Sequence, residues 1–145
     1  MGPHQKYLSK ISGPMFDRID IHVEVIPVPF RELNNAHPSE KSENVRSRVI
    51  EARQIQEKRF KGIPGVYCNA QMSVKMLRKV CRLDDACNIL LKNAMEKLGL
   101  SARAFDRILK VSRTIADIDK QPDIKAEHLA EAIQYRSLDR DNWGK

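Results

Sequence analysis

Two arginines stand where a planar, permanently protonated guanidinium could act on an anion. Arg18 lies in GPMFDRID, residues 13–20, between a short helical pattern and a run of alternating apolar residues. It is expected to be exposed in a turn at the end of a strand, where open α/β sheets present ligand-contacting residues. Arg103 follows Ser101 by two positions, in the first turn of the most regular helical pattern of the chain. A cation there opposes the positive end of the helix macrodipole, so its placement calls for another reason. The competing readings are ion pairs: Arg18 with Asp17 or Asp20, and Arg103 with Asp106 three residues on.

A second group of cations, Lys75, Arg78, Lys79 and Arg82, is spaced at three, one and three, which puts all four along one helix face. Such a face would suit a DNA phosphate track. Against this stands a simply solvated face, since no aromatic residues interleave for base stacking. Asp84-Asp85 reads as a helix start, where negative charge meets the positive helix end. Cys68, beside Tyr67, is a nucleophile only if a base lies near it in space. With Cys81 and Cys87 it makes an odd number of cysteines with no CxxC spacing, so all three read as ordinary thiols. His4, His22, His37 and His128 stand far apart, and no metal site is expected. GxxxxGK[ST], GxGxxG and GxSxG are all absent, so self-contained catalysis is not expected.

The chain that positions these residues has 145 of them, 41% hydrophobic and 31% charged. One small domain fits, with room for a real core and no need of a disulfide or metal. Lys and Arg number 26 against 19 Asp and Glu, a net charge of +7, which makes a polyanionic partner plausible without requiring one. Neither a membrane span nor a secretory signal is legible, so a soluble, cytoplasmic protein is expected.

KYLSKISGPMF, residues 6–16, reads as a short helix stopped at Gly13-Pro14. IDIHVEV follows, with Ile19, Ile21, Val23 and Val25 alternating with Asp20, His22 and Glu24, the pattern of a half-buried strand. Pro27 and Pro29 close it, and NNAHPSEKS, residues 34–42, reads as a polar linker. These signals divide the chain into 1–33, a linker at 34–42, and a helical unit at 43–145. In that unit Val45, Val49, Ala52 and Ile55 mark a long helix ending near Phe60, and Ser73 caps VKMLRKVC. Ala86, Leu90, Ala94 and Leu98 share the face of a helix stopped by Gly99, and Ser101 caps the next. The short connection is expected to fold those two helices back on each other. In SARAFDRILKVSRTIADI, residues 101–118, Ala104, Ile108, Val111, Ile115 and Ile118 form one stripe. A last helix, AEHLAEAIQYR, follows Pro122. One strand cannot make a sheet, and the chain opens inside a helical pattern, so a piece of a larger protein is expected.

YLSKISGPMFDRIDIHVEVIPVPF, NAQMS at 69–73, SARAFDRILKVSRTIADI and EHLAEAIQYRSLDR at 127–140 together resemble the carboxyl end of magnesium-chelatase-like AAA+ ATPases of the competence-associated ComM type. Met15 and Phe16 stand where leucines would be typical of that family. The resemblance implies a mainly α fold: a lid-type bundle of about five helices, preceded by a short helix and one strand left over from the nucleotide-binding core. It further implies that Arg18 is an arginine finger acting on a neighbouring subunit's ATP, and that Arg103 is the second sensor arginine, acting on the nucleotide of its own subunit. ATP and magnesium would be held by the full-length parent, whose phosphate loop lies upstream, and no cofactor is expected on this piece alone. By the same resemblance its partners are other subunits of a ring and, plausibly, DNA, with branch migration in competence as the task. The piece itself is expected to be monomeric or weakly self-associating. The alternatives are a basic helical module that binds DNA or a protein with no nucleotide role, and a structural adaptor.

Overall fold

A computed structural model describes Lys10, residues 12–23, Val25, residues 27–30 and residues 39–136. They form α1 (Gly13–Phe16), α2 (Ser42–Phe60), a 3₁₀ turn (Asn69–Gln71), α3 (Val74–Val80), α4 (Asp85–Leu98), α5 (Ala102–Ile118) and α6 (Ala126–Gln134). The architecture is a helical bundle, as the sequence predicts.

Helix boundaries fall where side chains can take the free amides of the first turn. Ser73 Oγ accepts from Met76 N at 3.4 Å, Asp84 Oδ1 from Cys87 N at 2.7 Å, and Ser101 Oγ from Ala104 N at 3.2 Å. Gly99 ends α4 at φ 60°, a left-handed conformation that costs a residue without a β-carbon little. At the other end of the chain α1 begins at Gly13-Pro14, with Pro14 in a first turn whose amides have no helical partner to lose. Residues 6–9 and 11 of the expected helix, and 34–38 of the expected linker, lie outside the described residues.

Helix α5 is the centre of the bundle and packs against α2, the 3₁₀ turn, α3 and α6. Its buried face is Ala104, Ile108, Leu109, Ser112, Arg113, Ala116 and Asp117. The apolar stripe read from the sequence is therefore only half right: Val111 and Ile115 are half-buried and Ile118 is exposed, because polar residues that pair with one another take the inner positions instead. A similar rotation affects α4, where Cys87 and Leu91 face inward and Ala86 is exposed. Nor do α4 and α5 fold chiefly onto each other. The main partner of α4 is α6, which also packs on α5. A short connection fixes only where two helices join, while their apolar faces decide what they pack on. In α2 only the second half contributes to the core, through Ala52, Gln56 and Phe60, leaving Val45 and Val49 exposed.

The expected strand at 19–25 is not formed; no strand occurs among the described residues. The alternation survives with its faces reversed. Ile19, Ile21, Val23 and Val25 are exposed, whereas His22 is buried and Asp20 pairs with Arg107. Without neighbouring strands the segment has no ladder to complete, so polar contacts to the bundle decide which side turns inward. The His22 amide donates to the Tyr135 carbonyl at 2.8 Å. Because the segment has so few backbone bonds, its amides at 19–23 are expected to exchange much faster than those of 104–116. Hydrogen exchange followed by NMR checks this; equal protection in a dilute, monomeric sample would show a paired strand instead.

Candidate functional site

Successive turns of α5 carry Arg103, Asp106 with Arg107, and Lys110 along one side, three or four residues apart. Together with Asp17 and Arg18 from the turn after α1, they line a polar cleft of ≈ 340 Å³. The structure thus brings Arg18 and Arg103 into one site, although 84 positions separate them in the sequence (103 minus 18, less one).

Contacts made by the residues that follow Arg18 hold its segment to the bundle. Arg107 Nη1 lies 2.7 Å from Asp20 Oδ1, the buried Arg136 side chain donates to the Ile19 carbonyl, and His22 bonds Tyr135. Lys110 Nζ donates to the Ala70 carbonyl at 2.8 Å. Two of the four cations of the cleft are therefore committed, Arg107 to a carboxylate and Lys110 to a backbone oxygen. Arg18 and Arg103 are exposed and have no ion pair among the described residues. Asp20, one of the pairing partners that would have explained Arg18, is taken by Arg107. Such a cleft fits phosphate oxygens, since two free guanidiniums face a space with the size and polarity to admit an anion. Magnesium fits less well: among the described residues no group of three or more His, Cys, Asp or Glu could hold a metal ion.

A buried polar cluster fixes α5 against α2 and the 3₁₀ turn. The Asp117 carboxylate receives Arg59 through both terminal guanidinium nitrogens, Nη1 at 2.7 Å, Arg113 Nε at 3.1 Å and Asn69 Nδ2 at 2.8 Å. Arg113 also donates to the carbonyls of Gln121 and Pro122 at 2.6 and 2.8 Å. Asn69 closes the set by donating to Thr114 Oγ1 and receiving Arg59, while its amide donates to Gln56 Oε1. No fully buried side-chain nitrogen or oxygen of this cluster lacks a partner, the condition under which buried charge is tolerated. Asn69 belongs to NAQMS, and Arg113 with Asp117 to the long helical motif. An Arg and an Asp four apart on the inward side of a helix are the signal that periodicity of apolar residues alone overlooks.

The other sequence candidates lie elsewhere. Lys75, Arg78, Lys79 and Arg82 are all exposed, on α3 or just beyond it, away from the cleft lining. Asp84-Asp85 marks a helix start, as the sequence predicts, and Asp84 in addition caps it. Cys81 and Cys87 are buried, and burial pushes each thiol up to about 11, so both are protonated at neutral pH. Cys68 Sγ lies 3.6 Å from Gln71 Oε1, with no base in reach among the described residues.

The Asp84 cap has a pH signature. The hydrogen bond from the Cys87 amide holds its carboxyl below the usual carboxylate range. A group depressed on folding stabilises the protein above its unfolded pKa, and that contribution is lost as pH falls through the folded pKa. Asp84→Ala is therefore expected to melt earlier than wild type at neutral pH, with the gap closing on acidification. A pH series of thermal melts checks this; a gap independent of pH would assign the cap's effect to shape rather than charge.

Residues 39–136 match the family described as magnesium chelatase, subunit ChlI C-terminal, and residues 2–33 match magnesium chelatase, subunit ChlI. The chain belongs to the magnesium-chelatase-like AAA+ family. Within that family it corresponds to the carboxyl-terminal portion of the ComM type. Competence protein ComM of Haemophilus influenzae is 43% identical over 136 residues, which is 93% of this chain and 26% of that protein. Uncharacterized protein YifB of Escherichia coli is 40% identical over the same length and shares. Uncharacterized protein Mb2921c of Mycobacterium bovis is 31% identical over 132 residues, 91% of this chain and 26% of the relative. The chain thus spans about a quarter of the length of the relatives it matches. In this member of the magnesium-chelatase-like family, Arg18 comes from the stretch matching ChlI and Arg103 from the stretch matching its C-terminal region, so the cleft forms between the two.

Proposed function

We propose that this chain is the lid portion of a longer, cytoplasmic, ring-forming ATPase that moves DNA, with branch migration in competence as its task, and that Arg18 and Arg103 serve its ATP sites. The observation that carries the reading is the shared cleft: of its four cations, the two whose side chains make no ion pair or hydrogen bond among the described residues are the two that the family resemblance singles out. Phosphoryl transfer spreads negative charge over the γ-phosphate oxygens, and a guanidinium supplied across an interface is worth about a thousandfold or more in rate. ATP and magnesium would be held mainly by the phosphate loop and acidic strand of the parent; this chain's own residues contribute charge stabilisation and closure.

One cleft holding both arginines favours one nucleotide for both. We therefore assign Arg18 and Arg103 to the ATP of a neighbouring subunit, in place of the split between neighbouring and own subunit that the resemblance implies. The outward-facing Ile19, Ile21, Val23 and Val25 support the reading of this chain as a portion of a longer protein, since in the parent they would lie against the rest of the nucleotide-binding core. The name of the Haemophilus influenzae relative connects that protein with competence, and we extend the connection to this chain. Among the described residues no helix is long and apolar enough to cross a membrane.

The test is ATP hydrolysis by the full-length protein: Arg18→Ala and Arg103→Ala should each lower turnover, and if neither does, the proposal fails. The isolated chain is expected to bind ATP more weakly than about 10 μM by calorimetry, because that affinity needs ~7 kcal/mol, more than two exposed ion pairs supply. Tighter binding would show that the chain holds a nucleotide site of its own.

A further inference from the structure

A second cleft, of ≈ 310 Å³, opens between the end of α2 and α3, away from Arg18 and Arg103. Phe60, Ile63, Met76 and Val80 give it apolar walls, and Lys75 and Lys79 stand beside them. Arg59 also borders it, but its guanidinium is committed to Asp117. Lys75 and Lys79 are exposed and make no ion pair among the described residues, and the same holds for Arg78 and Arg82, which extend the positive charge along α3 and past its end. From Lys75 to Lys79, within the helix, this line runs roughly 6 Å at the helical rise of about 1.5 Å per residue.

We propose that this cleft docks an acidic segment of a partner protein, with one bulky aliphatic side chain entering between Ile63, Met76 and Val80 and flanking carboxylates meeting Lys75 and Lys79. Charge complementarity selects the partner's sign, and the apolar walls select what it carries between its charges. A nucleic-acid backbone would answer the lysines but leave the apolar walls covered by nothing of their own kind. An inserted base would need an aromatic platform, and Phe60, the aromatic residue of the cleft, is only 3% exposed.

The test titrates the 145-residue chain into a short fluorescein-labelled peptide with one leucine between pairs of glutamates, and into the same peptide with alanine for leucine. Single-stranded and duplex oligonucleotides serve as competitors, and circular dichroism confirms that each variant is folded. The leucine peptide is expected to bind about tenfold more tightly than the alanine peptide. Lys75→Glu combined with Lys79→Glu should weaken both peptides by about tenfold or more. Ile63→Ser, at an exposed position, should weaken the leucine peptide and leave the alanine peptide unchanged. Equal binding of the two peptides would reduce the cleft to its charge and overturn the proposal. So would the absence of saturable binding, insensitivity to the lysine variants, or an oligonucleotide that binds more tightly than the peptide through the same lysines.

Discussion

Replacing Asp117 with alanine is expected to destabilise the bundle by about 3–5 kcal/mol, the usual cost of removing one partner from a buried charge cluster. Arg113 is itself buried and would be left with its charge facing a void, while Arg59 and Asn69 lose the oxygens that orient them. Set against a total stability of about 5–15 kcal/mol for a domain, the loss is a large fraction and would leave some of the population unfolded at physiological temperature. Asp117→Asn keeps the shape but not the charge and should fall between wild type and Asp117→Ala. Arg59→Ala should cost less than Asp117→Ala, since the Arg59 side chain is partly open to solvent. Urea denaturation measures all three; a loss under about 1 kcal/mol for Asp117→Ala would mean that apolar packing alone holds α5 to α2.

The difference between what the sequence showed and what it hid follows from which interactions are local. Caps at Ser73 and Ser101, the helix start at Asp84-Asp85 and the stop at Gly99 depend on residues within one turn, and all four are legible in the sequence. The inner face of α5 was misplaced because Arg113 and Asp117 look like surface residues until Arg59 and Asn69, distant in the chain, are brought to them. The segment 19–25 has strand-like alternation, but strand formation depends on neighbours, and with no strand beside it among the described residues it is His22 that turns inward. Arg18 and Arg103 were singled out by residue type, local position and family resemblance. Their meeting in one cleft was not legible, because it rests on the Arg107–Asp20 pair and the Arg136 contact to Ile19, which nothing local announces.

Loss of Arg18 from the full-length protein is expected to lower ATP turnover by about a thousandfold, with a substantial though smaller loss for Arg103→Ala. A guanidinium that neutralises charge developing in the transition state should affect kcat more than KM, because the ground state benefits less. Mixed rings then show which nucleotide each arginine reaches. Combining Arg18→Ala subunits with subunits disabled in the phosphate loop should restore part of the activity, since some interfaces then pair an intact loop with an intact arginine.

The most direct measurement mixes Arg18→Ala subunits with Arg103→Ala subunits and follows ATP hydrolysis. If both arginines act from one cleft on one neighbouring nucleotide, every subunit in such a ring carries a damaged cleft, and no site regains activity. Partial recovery would contradict this, because it requires one subunit to supply Arg103 and its neighbour to supply Arg18 at the same ATP.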